Sequence, residues 1–462
     1  DITSFIGDPG ITNVCDPVVI YDPQADRFIL FVQECSGNSS NSYLLIFFSQ
    51  TNNPNDGWWY YKLTGNPLGD YSWFDYPKMA ISNNELYITG NLFYNSGSFN
   101  QSVIYQMEKS DGYSGASLTW QYWYGIAGYP TTLCPVSYGL DGGYGPGCYL
   151  VSTAFAGSST IKLYDITDDI ASSPSLYYYS VPTTAYSPAA DSYQAGTFCQ
   201  LDNGDCRTLS GFYLNGTIHF VFHSNIGSGW NGINYNRLNV SSLSNQSGLF
   251  GFAGSYDYSY PSVAPFTTSP SDKSVMIGFG RTSSSIYPEI RVVNCDHDWN
   301  WSPSVLVKGG EGFVSYTSTT KERWGDYTGI ARKHNASSPT VWMIGMYGET
   351  YNRWESWIAE IGKGNDVVVG VDNHTESNQG KIYPNPAVSS FSVEFEQEAP
   401  QPIKIFILDA QGKIVVNLYE GLSKQGVNLF TFNDARLSKG IYSLVIRSNE
   451  KVILNEKVII DL

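Results

Sequence analysis

Apolar and polar positions follow a recurring order along roughly the first 360 residues. A short apolar strand begins at a polar or Pro-containing corner, and a turn rich in Asp, Asn or Gly follows. A second strand is strongly apolar and aromatic, and two further strand-like runs come next, as in SYLLIFFS at 42–49 and WWYYKL at 58–63. Alternation with a period of two, bounded by turn residues, predicts β-strands, and Lys and Glu runs of helical period are missing. We therefore expect almost no helix.

The pattern occurs six times, with successive starts about 60 residues apart. The copies span residues 16–34, 76–93, 134–155, 198–224, 260–283 and 324–348. Four strands per copy are typical of a β-propeller blade, so we predict an all-β propeller with six blades, or seven if one blade carries a weak pattern. The sixth copy ends one strand short after WESWIAEI, and we expect DITSFI at 1–6 to supply its outer strand.

The chain changes character after residue 362. The stretch 363–380 loses its aromatic residues and ends polar, as a linker does. Residues 381–462 then alternate apolar and polar positions around the turns DAQGK and SKG, which predicts a small Ig-like β-sandwich. The predicted domains are thus a propeller over 1–362, the linker, and a β-sandwich over 381–462.

Composition and charge narrow the possible partners. Aromatic residues make up 15% of the chain, including 35 Tyr and 12 Trp, and the net charge is −16. From Lys381 onward nine basic and nine acidic residues balance, so the first region carries the whole negative charge. An acidic surface opposes nucleic acid, whose phosphates need Lys and Arg, and suits neutral sugars or cations.

No run is apolar and long enough to cross a bilayer, so we do not expect a membrane-spanning protein. Asp1 resembles a mature N-terminus from which an export signal has been removed or left out.

Seven cysteines include three pairs that are close in sequence. The pairs are Cys15 with Cys35, Cys134 with Cys148, and Cys199 with Cys206. We predict disulfides in an oxidising compartment, the alternative being buried thiols, and expect Cys295 to remain a thiol. No spacing resembles a zinc site.

Several short motifs stand in order along the last 80 residues. They are Tyr383, Pro384, Asn385 and Pro386 at the entry, the ILDAQGKIV turn around Gly412, the LSKGIYSLVI segment with Gly440 and Tyr442, and the terminal KVIIDL. With these motifs the region resembles the type A C-terminal sorting domain of the type IX secretion system of Bacteroidetes-type bacteria. An ordinary Ig-like accessory domain is the alternative.

The resemblance implies that the outer-membrane type IX machinery is a partner of the chain. It also implies a location at the cell surface or outside the cell, after cleavage with attachment to lipopolysaccharide or release. Gly440 is expected at a corner that needs positive φ.

Four motifs of the first region resemble a group of secreted bacterial propellers. They are DPVVIYDPQADRFIL at 16–30, an S-x-T…P…D-G-W run at 49–58, YPKMAI at 76–81 and RWGDYTGIA at 323–331. The second run also resembles the Asp-box turns of sialidase-like propellers, in a degenerate form that we interpret as structural. This resemblance implies a propeller and export without a defined activity.

Three aspartates begin repeats at positions that often face a propeller's central channel: Asp16, Asp75 and Asp326. Glycosidases need two carboxylates that flank the sugar bond, and these residues are weak catalytic candidates. The interpretation that we favour is that each aspartate caps its own turn. A sialidase-like arginine cluster from Arg27, Arg281, Arg323 and Arg353 is disfavoured by the negative charge.

Metal and cofactor signals are weak. His219 and His223 lie four residues apart on one strand, where packing against aromatic residues is more common than metal binding. The turns 141–147 and 202–205 carry oxygen ligands that suit calcium, although such sequences more often form plain turns. We predict no cofactor, with calcium as the one exception to test.

Together these features favour a non-catalytic surface protein. The propeller would act as a binding or assembly module that engages glycan or protein through exposed Tyr and Trp. One alternative is a secreted glycoside hydrolase or lyase acting on polysaccharide, and another is a structural subunit of a surface layer or filament.

Overall fold

The chain forms two compact units, Asp1–Gly364 and Asn365–Leu462. The computed structural model describes residues 2–128, 131, 133–317, 320–326, 328–362, 380–397, 400–409, 413–433, 437–448 and 451–461. Apart from Gly380, the predicted linker 363–380 lies outside the described residues, as does Gly412.

The first unit is a β-propeller with six antiparallel sheets among its described residues. Blade 1 comprises Val14–Asp22, Arg27–Glu34, Tyr43–Ser49 and Trp58–Thr64; blade 2 comprises Ser72–Ile81, Glu85–Tyr94, Phe99–Glu108 and Trp120–Trp123; blade 3 comprises Cys134–Pro135, Cys148–Thr153, Ser158–Ile166 and Leu176–Tyr186. Blade 4 comprises Ser210–Leu214, Thr217–Asn225, Asn231–Asn239 and Ser244–Phe250; blade 5 comprises Asp257–Pro265, Val275–Ser283, Ile286–Cys295 and Val305–Lys308; blade 6 comprises Gly329–Arg332, Thr340–Gly348 and Trp354–Gly362.

The first strands of successive blades contact one another and surround the central channel. Ser137–Tyr138 adds to the first strand of blade 4 in parallel. Helical structure in the described residues is limited to Ile2–Ile6, Lys109–Ser114 and a 3₁₀ turn at Ile170–Ser172.

A bulge recurs where the first strand of a blade begins. Asp16, Tyr76 and Tyr260 have φ values of 51°, 60° and 48°, each directly before a proline, and the strand register shifts there. Asp326, just before blade 6, has a φ of 69°. A bulge bends the strand and redirects a side chain, so the X-Pro corners in the sequence mark where side chains turn toward the end of the channel.

Adjacent blades bury apolar residues between them, which explains why the second and third strands are almost continuously apolar. Phe31 of blade 1 and Phe74 of blade 2 are fully buried, with ring centroids 6.0 Å apart. Truncating a buried Phe to Ala typically costs about 3–5 kcal/mol, so each interface contributes substantially to the closed ring.

The N-terminal segment corrects one prediction. The described residues of the segment 1–6 do not supply the outer strand of blade 6, because Ile2–Ile6 is a helix on blade 1. The ring of Phe5 lies 5.2 Å from that of Phe47 and 6.0 Å from that of Trp58. The apolar side chains of this segment thus find partners on the first blade.

Blade 6 has three strands among the described residues. Met343 and Tyr347 pack toward blade 5. Strand alternation places Trp342, Ile344 and Ile358 on the opposite face, where they are 45%, 41% and 65% exposed. This blade therefore carries a partly uncovered apolar face.

The second unit is a β-sandwich with its own apolar core, in which Phe395, Ile405 and Leu444 are buried. One sheet pairs Lys381–Tyr383, Phe391–Gln397 and Gly426–Phe432, and the other pairs Ile414–Leu422, Pro402–Leu408, Gly440–Ser448 and Lys451–Ile460, in those orders. No helix in the described part of the chain is long and apolar enough to span a bilayer.

The entry motif of the sandwich is fixed to its last strand. The Asn385 side chain donates to the Lys457 carbonyl at 2.7 Å and accepts from the Ile459 amide at 2.8 Å. Ala387 N–H also donates to the Ile459 carbonyl at 2.7 Å. The first and last motifs of the domain therefore form one structural unit.

Gly440 corrects a second prediction, because it is not among the glycines with positive φ. It begins a strand, and a Cβ atom there would lie 3.3 Å from the Tyr442 ring. The Tyr442 hydroxyl donates to the Ser438 carbonyl at 3.0 Å. The glycine leaves room for this ring rather than for a left-handed backbone.

One of the three predicted disulfides is present, between Cys15 and Cys35. The Cys134–Cys148 prediction is wrong, because Cys134 lies opposite Val151, three residues along the strand from Cys148. Three residues span about 10 Å, beyond the roughly 7 Å that a disulfide tolerates between Cα atoms.

The Cys199–Cys206 prediction is wrong as well. Cys199 accepts a hydrogen bond from Gln194 through its carbonyl, whereas Cys206 is buried in the core shared by blades 3 and 4. Both are buried thiols, as is Cys295, for which a thiol was predicted. Burial raises the pKa of Cys206 to about 12 and that of Cys295 to about 11.

Candidate functional site

Two of the predicted aspartates come together on the side chain of Gln33. The Nε2 atom of Gln33 donates to Asp16 Oδ2 at 3.2 Å and to Asp75 Oδ1 at 3.0 Å. The two carboxylate oxygens are therefore at most about 6 Å apart. The bulges of blades 1 and 2 bring them together, although they are far apart in sequence.

Gln33 is held in place by the disulfide of blade 1. Its Nε2 atom lies 3.3 Å from Cys15 Sγ and 3.5 Å from Cys35 Sγ, and the residue is 1% exposed. Its Oε1 atom has no hydrogen-bond partner among the described residues. The disulfide thus packs against the Gln33 amide, and this amide contacts both carboxylates.

Asp75 also has the structural role that was favoured from the sequence. Its Oδ1 atom accepts from the Tyr76 amide at 2.8 Å and so caps the bulge. Asp75 therefore shapes the backbone and contributes to the carboxylate pair at the same time.

The third aspartate reaches the same region through an arginine. Arg323 Nε donates to Asp326 Oδ2 at 2.9 Å, and the arginine side chain is 80% exposed. The Asp326 carboxylate raises the pKa of Arg323, and Asp16 and Asp75 act in the same direction. Asp16, Asp75, Asp326, Arg323 and Gln33, which we name the mouth cluster, therefore lie within electrostatic reach of one another.

The channel wall next to the mouth cluster is aromatic and basic. The Tyr76 hydroxyl donates to the Asp326 carbonyl at 3.4 Å, and the Arg207 guanidinium lies 4.8 Å from the centroid of the Tyr76 ring. Lys78 Nζ donates to the Leu209 carbonyl at 2.6 Å. Burial raises the pKa of Tyr76 and lowers that of Lys78.

Two loops carry exposed aromatic side chains on the same side of the propeller. One leads from blade 3 into blade 4 and the other from blade 5 into blade 6. The parallel pairing of Gln200–Leu201 with Lys321–Glu322 joins the loops, and Gln194 exchanges two hydrogen bonds with the Val314 backbone at 2.7 and 2.8 Å.

We call the described parts of these loops the aromatic platform. Tyr193, Phe198 and Tyr316 on it are 56%, 99% and 63% exposed. The sequence pattern missed this surface because the loops have no strand period. Their only signal is isolated aromatic residues among Gly, Asp and Thr.

The arginines considered for a sialidase do not come together. Arg27 donates to the Asp26 carbonyl in the first hairpin turn, and Arg281 forms a buried ion pair with Glu289. Arg353 lies over the Tyr316 ring, which leaves Arg323 alone in the mouth cluster. The carboxylate-gripping cluster that a sialidase requires is thus not formed by these residues.

His219 and His223 are buried strand residues, as the sequence interpretation favoured. His219 stacks on Phe212 with centroids 4.6 Å apart, and its Nδ1 lies 2.6 Å from the Tyr235 hydroxyl. His223 Nδ1 accepts from the Tyr260 amide at 2.9 Å. Burial lowers the pKa of both, to about 4 for His223.

The turns considered for calcium use their carboxylates in hydrogen bonds and ion pairs. Asp141 reaches His334 at 2.7 Å, Asp202 reaches Lys321 at 3.1 Å, and Asp205 pairs with Arg207. Within the described residues, no group of three or more His, Cys, Asp and Glu side chains is placed to hold a metal. Calcium binding stays an untested prediction.

The C-terminal unit matches a family model over residues 381–461, described as a secretion system C-terminal sorting domain. This unit is a type IX sorting domain. The chain is therefore handled by the type IX machinery and exported to the cell surface or the extracellular space. The individual roles of Tyr383, Pro384, Asn385 and the other motif residues of the sorting domain remain predictions.

Several solved structures are distantly similar to the chain. The chain is 14% identical to a thermostable family-43 glycoside hydrolase (TM-score 0.32; 69% of this chain and 98% of that one). It is 8% identical to Trypanosoma rangeli sialidase in complex with sialic acid (TM-score 0.39; 96% and 83%). A Bacillus subtilis family-43 arabinoxylan arabinofuranohydrolase is 13% identical (TM-score 0.32; 95% and 95%). A search of curated proteins found no match.

Proposed function

We propose that the propeller is a non-catalytic glycan-binding module of an exported protein, with the mouth cluster and the aromatic platform as its binding surface. The observation that carries the proposal is that Gln33 holds the carboxylates of Asp16 and Asp75 together. Arg323 pairs with Asp326 and lies within electrostatic reach of the other two aspartates. Fixed polar groups of this kind orient a ligand, and exposed aromatic rings add contact area.

The charges of the surface favour a particular class of sugar. The mouth cluster contains three carboxylates and one guanidinium, and the region before Lys381 carries the whole net charge of −16. Carboxylates accept hydrogen bonds from sugar hydroxyls and attract ammonium groups, whereas an anionic sugar would be repelled. Neutral or amino sugars are therefore the ligands that this surface suits.

Glycoside hydrolysis is the second candidate, because the Asp16 and Asp75 oxygens are at most about 6 Å apart. Retaining glycosidases place their carboxyl groups about 5–5.5 Å apart. Against this role, both carboxylates accept from the same amide nitrogen, and Asp75 also caps Tyr76. A general acid needs a proton to donate to the leaving oxygen, and these acceptor contacts favour binding over proton transfer.

The test combines binding and turnover on the full chain. Affinity electrophoresis in gels that contain neutral, amino-sugar or anionic polysaccharides measures binding, and a reducing-end assay measures hydrolysis. We expect retardation by a neutral or amino-sugar polymer, a loss of about tenfold or more in affinity for Asp16→Asn/Asp75→Asn, and no release of reducing ends. Asp298→Asn, at an exposed turn, is the matched control.

Two results would contradict the proposal. Release of reducing ends that disappears in Asp75→Asn would establish the hydrolase instead. If the wild type migrates equally in gels with and without each polysaccharide, the proposal of glycan binding is contradicted.

A further inference from the structure

An open cleft of about 540 Å³ lies where the loop into blade 6 meets the turn between its last two strands. It is lined by Tyr316, Glu349, Tyr351, Arg353, Trp354 and Glu355. This volume falls in the range of small-ligand sites, about 300–1,000 Å³. Three of the six lining residues are aromatic and three are charged, a mixture that is unlike a simple gap in packing.

Backbone hydrogen bonds fix the two sides of the cleft to each other. Ser315 N–H donates to the Asn352 carbonyl at 3.0 Å, and Glu311 N–H donates to the Gly348 carbonyl at 2.7 Å. The turn itself is closed by Glu349 N–H, which donates to the Arg353 carbonyl at 2.8 Å. The cleft is therefore built between two anchored segments.

Aromatic surface is available on both sides. Tyr316, Tyr351 and Trp354 are 63%, 78% and 52% exposed. Aromatic rings are costly to leave in water and stack well on flat apolar ligand faces. A pyranose ring offers such a face through its axial C–H groups.

Contacts with neighbouring residues fix the orientation of the three charged side chains of the cleft. The Arg353 guanidinium lies 4.7 Å from the Tyr316 ring centroid, and its N–H groups make no hydrogen bond within the described part of the chain. Glu355 Oε2 accepts from the Tyr347 hydroxyl at 3.0 Å, and Glu349 Oε2 accepts from the Tyr351 amide at 3.1 Å. A fork of donors thus stands beside two fixed carboxylates, and each carboxylate has further capacity to accept.

We infer that this cleft is a subsite for a neutral pyranose chain. Sugar hydroxyls pair with the Arg353 fork and the glutamates, while Trp354 and Tyr351 provide stacking. Two carboxylates against one guanidinium disfavour an anionic chain. The inference rests on the proposed glycan binding and adds to it the stacking residues and the class of sugar.

The test measures the affinity of the full chain by calorimetry. The probes are soluble xylan, mixed-linkage β-glucan and mannan as neutral polymers, and alginate and polygalacturonate as anionic ones. We expect at least one neutral polymer to bind, and Trp354→Ala and Arg353→Ala each to weaken its binding about tenfold or more. Arg353→Lys should also weaken it, because the charge is kept and the planar fork is lost.

Tyr177→Ala is the matched control, since Tyr177 is 53% exposed on the outer strand of blade 3. Its affinity should equal that of the wild type. Thermal unfolding of each variant confirms that the propeller is folded, and the exposed positions of Trp354 and Arg353 make large losses of stability unexpected.

The possible outcomes separate the two proposals. If Asp16→Asn/Asp75→Asn weakens binding and the cleft variants do not, the subsite is overturned and glycan binding by the mouth cluster stands. If only the cleft variants weaken binding, the subsite stands and the mouth cluster loses its assigned role. Preferential binding of the anionic polymers overturns the sugar class, and no binding to any polymer overturns both proposals.

Discussion

At the residue scale, burial decides which titratable groups carry charge in the propeller. His223 is fully buried with a pKa of about 4, and burial lowers the pKa of His219 further below its usual range. Asp257 shows the opposite effect, since burial raises its pKa to about 6. These groups make the stability of the propeller depend on pH even though none of them belongs to the mouth cluster.

The histidines should destabilise the propeller in acid. Between pH 6.5 and about 4 an unfolded histidine binds a proton that native His223 does not, so the free energy of unfolding falls as the pH is lowered. Asp257 acts in the opposite direction below about pH 6, because its native form binds the proton first.

His223→Gln keeps an acceptor for the Tyr260 amide. We predict that the melting temperature of this variant falls less between pH 7 and pH 5 than that of the wild type. The exposed His297→Gln is the control, and equal losses in His223→Gln and the wild type would contradict the explanation.

The Asn385 side chain connects the entry motif of the sorting domain to its last strand. Asn385→Ala removes both side-chain hydrogen bonds to the last strand, and we expect a loss of roughly 1–3 kcal/mol in the C-terminal unfolding transition, with less exported protein. Protease resistance and the amount of exported protein measure the effect. The exposed Asn417→Ala should behave as wild type, and unchanged export of a destabilised Asn385→Ala would separate folding from recognition.

At this scale the sequence points to residues whose neighbours in sequence mark a corner. Asp16, Asp75 and Asp326 are candidates because each stands at the corner that begins a repeat, and their role in a site stays a prediction. Gln33 was missed because it is one polar residue at the end of an apolar strand, and its partner Asp75 belongs to another blade. The sequence offers Arg353 only as a disfavoured sialidase candidate, because its stacking on Tyr316 depends on a loop contact that the repeat pattern does not show.

At the element scale, cross-links between loops and strands hold the site in place. The Cys15–Cys35 disulfide joins the first two strands of blade 1 over a separation of 20 residues. A cross-link of this size contributes about 3 kcal/mol when it is unstrained. It also lies beside Gln33, so it supports the mouth cluster as well as the blade.

The cysteine assignment predicts a thiol count. The denatured protein should show five reactive thiols without reductant and seven after reduction. Cys15→Ser/Cys35→Ser should lower the stability of the propeller by about 3 kcal/mol and weaken glycan binding through the loss of support under Gln33. A count of three reactive thiols, or of one, before reduction would contradict the assignment of a single disulfide.

Asp141 links two distant blades. It lies in the turn 141–147 of blade 3, and its carboxylate contacts His334 at 2.7 Å and the Asn335 amide at 3.1 Å, both after the first strand of blade 6. Its second oxygen lies 3.4 Å from Arg332, whose side chain is 3% exposed. The glycine-rich turn thus connects blade 3 to blade 6 through hydrogen bonds and an ion pair.

Removing the Asp141 carboxylate should lower the stability of the propeller more than removing an ordinary surface charge does. Asp141→Ala leaves the buried Arg332 guanidinium with less compensation, and we expect a loss of roughly 2–3 kcal/mol in propeller stability. Thermal unfolding checks this. The free energy of unfolding of the exposed variant Asp298→Ala should stay within about 0.5 kcal/mol of the wild type. An equally small effect for Asp141→Ala would show that the contact between blades 3 and 6 does not stabilise the propeller.

At the scale of the whole molecule, the two units have separate tasks. The near-neutral sorting domain determines export, and the acidic propeller carries the surface proposed for glycan binding. The repeat period and strand alternation were sufficient to predict six blades and the terminal sandwich, because each blade repeats one local pattern. They could not predict the N-terminal helix, whose apolar side chains pack on blade 1, or the aromatic platform, whose two loops come from different blades, because neither has a strand period.

The central claim is that the propeller binds a glycan at the mouth cluster, the aromatic platform and the cleft without cleaving it. The most direct measurement is a crystal structure of the full chain with the oligosaccharide that binds most tightly. We predict an intact sugar chain in contact with Asp16 or Asp75 in the mouth cluster, or with Trp354 in the cleft. A sugar bound only along the exposed tyrosines of blade 3, or one cleaved beside Asp75, would contradict the account.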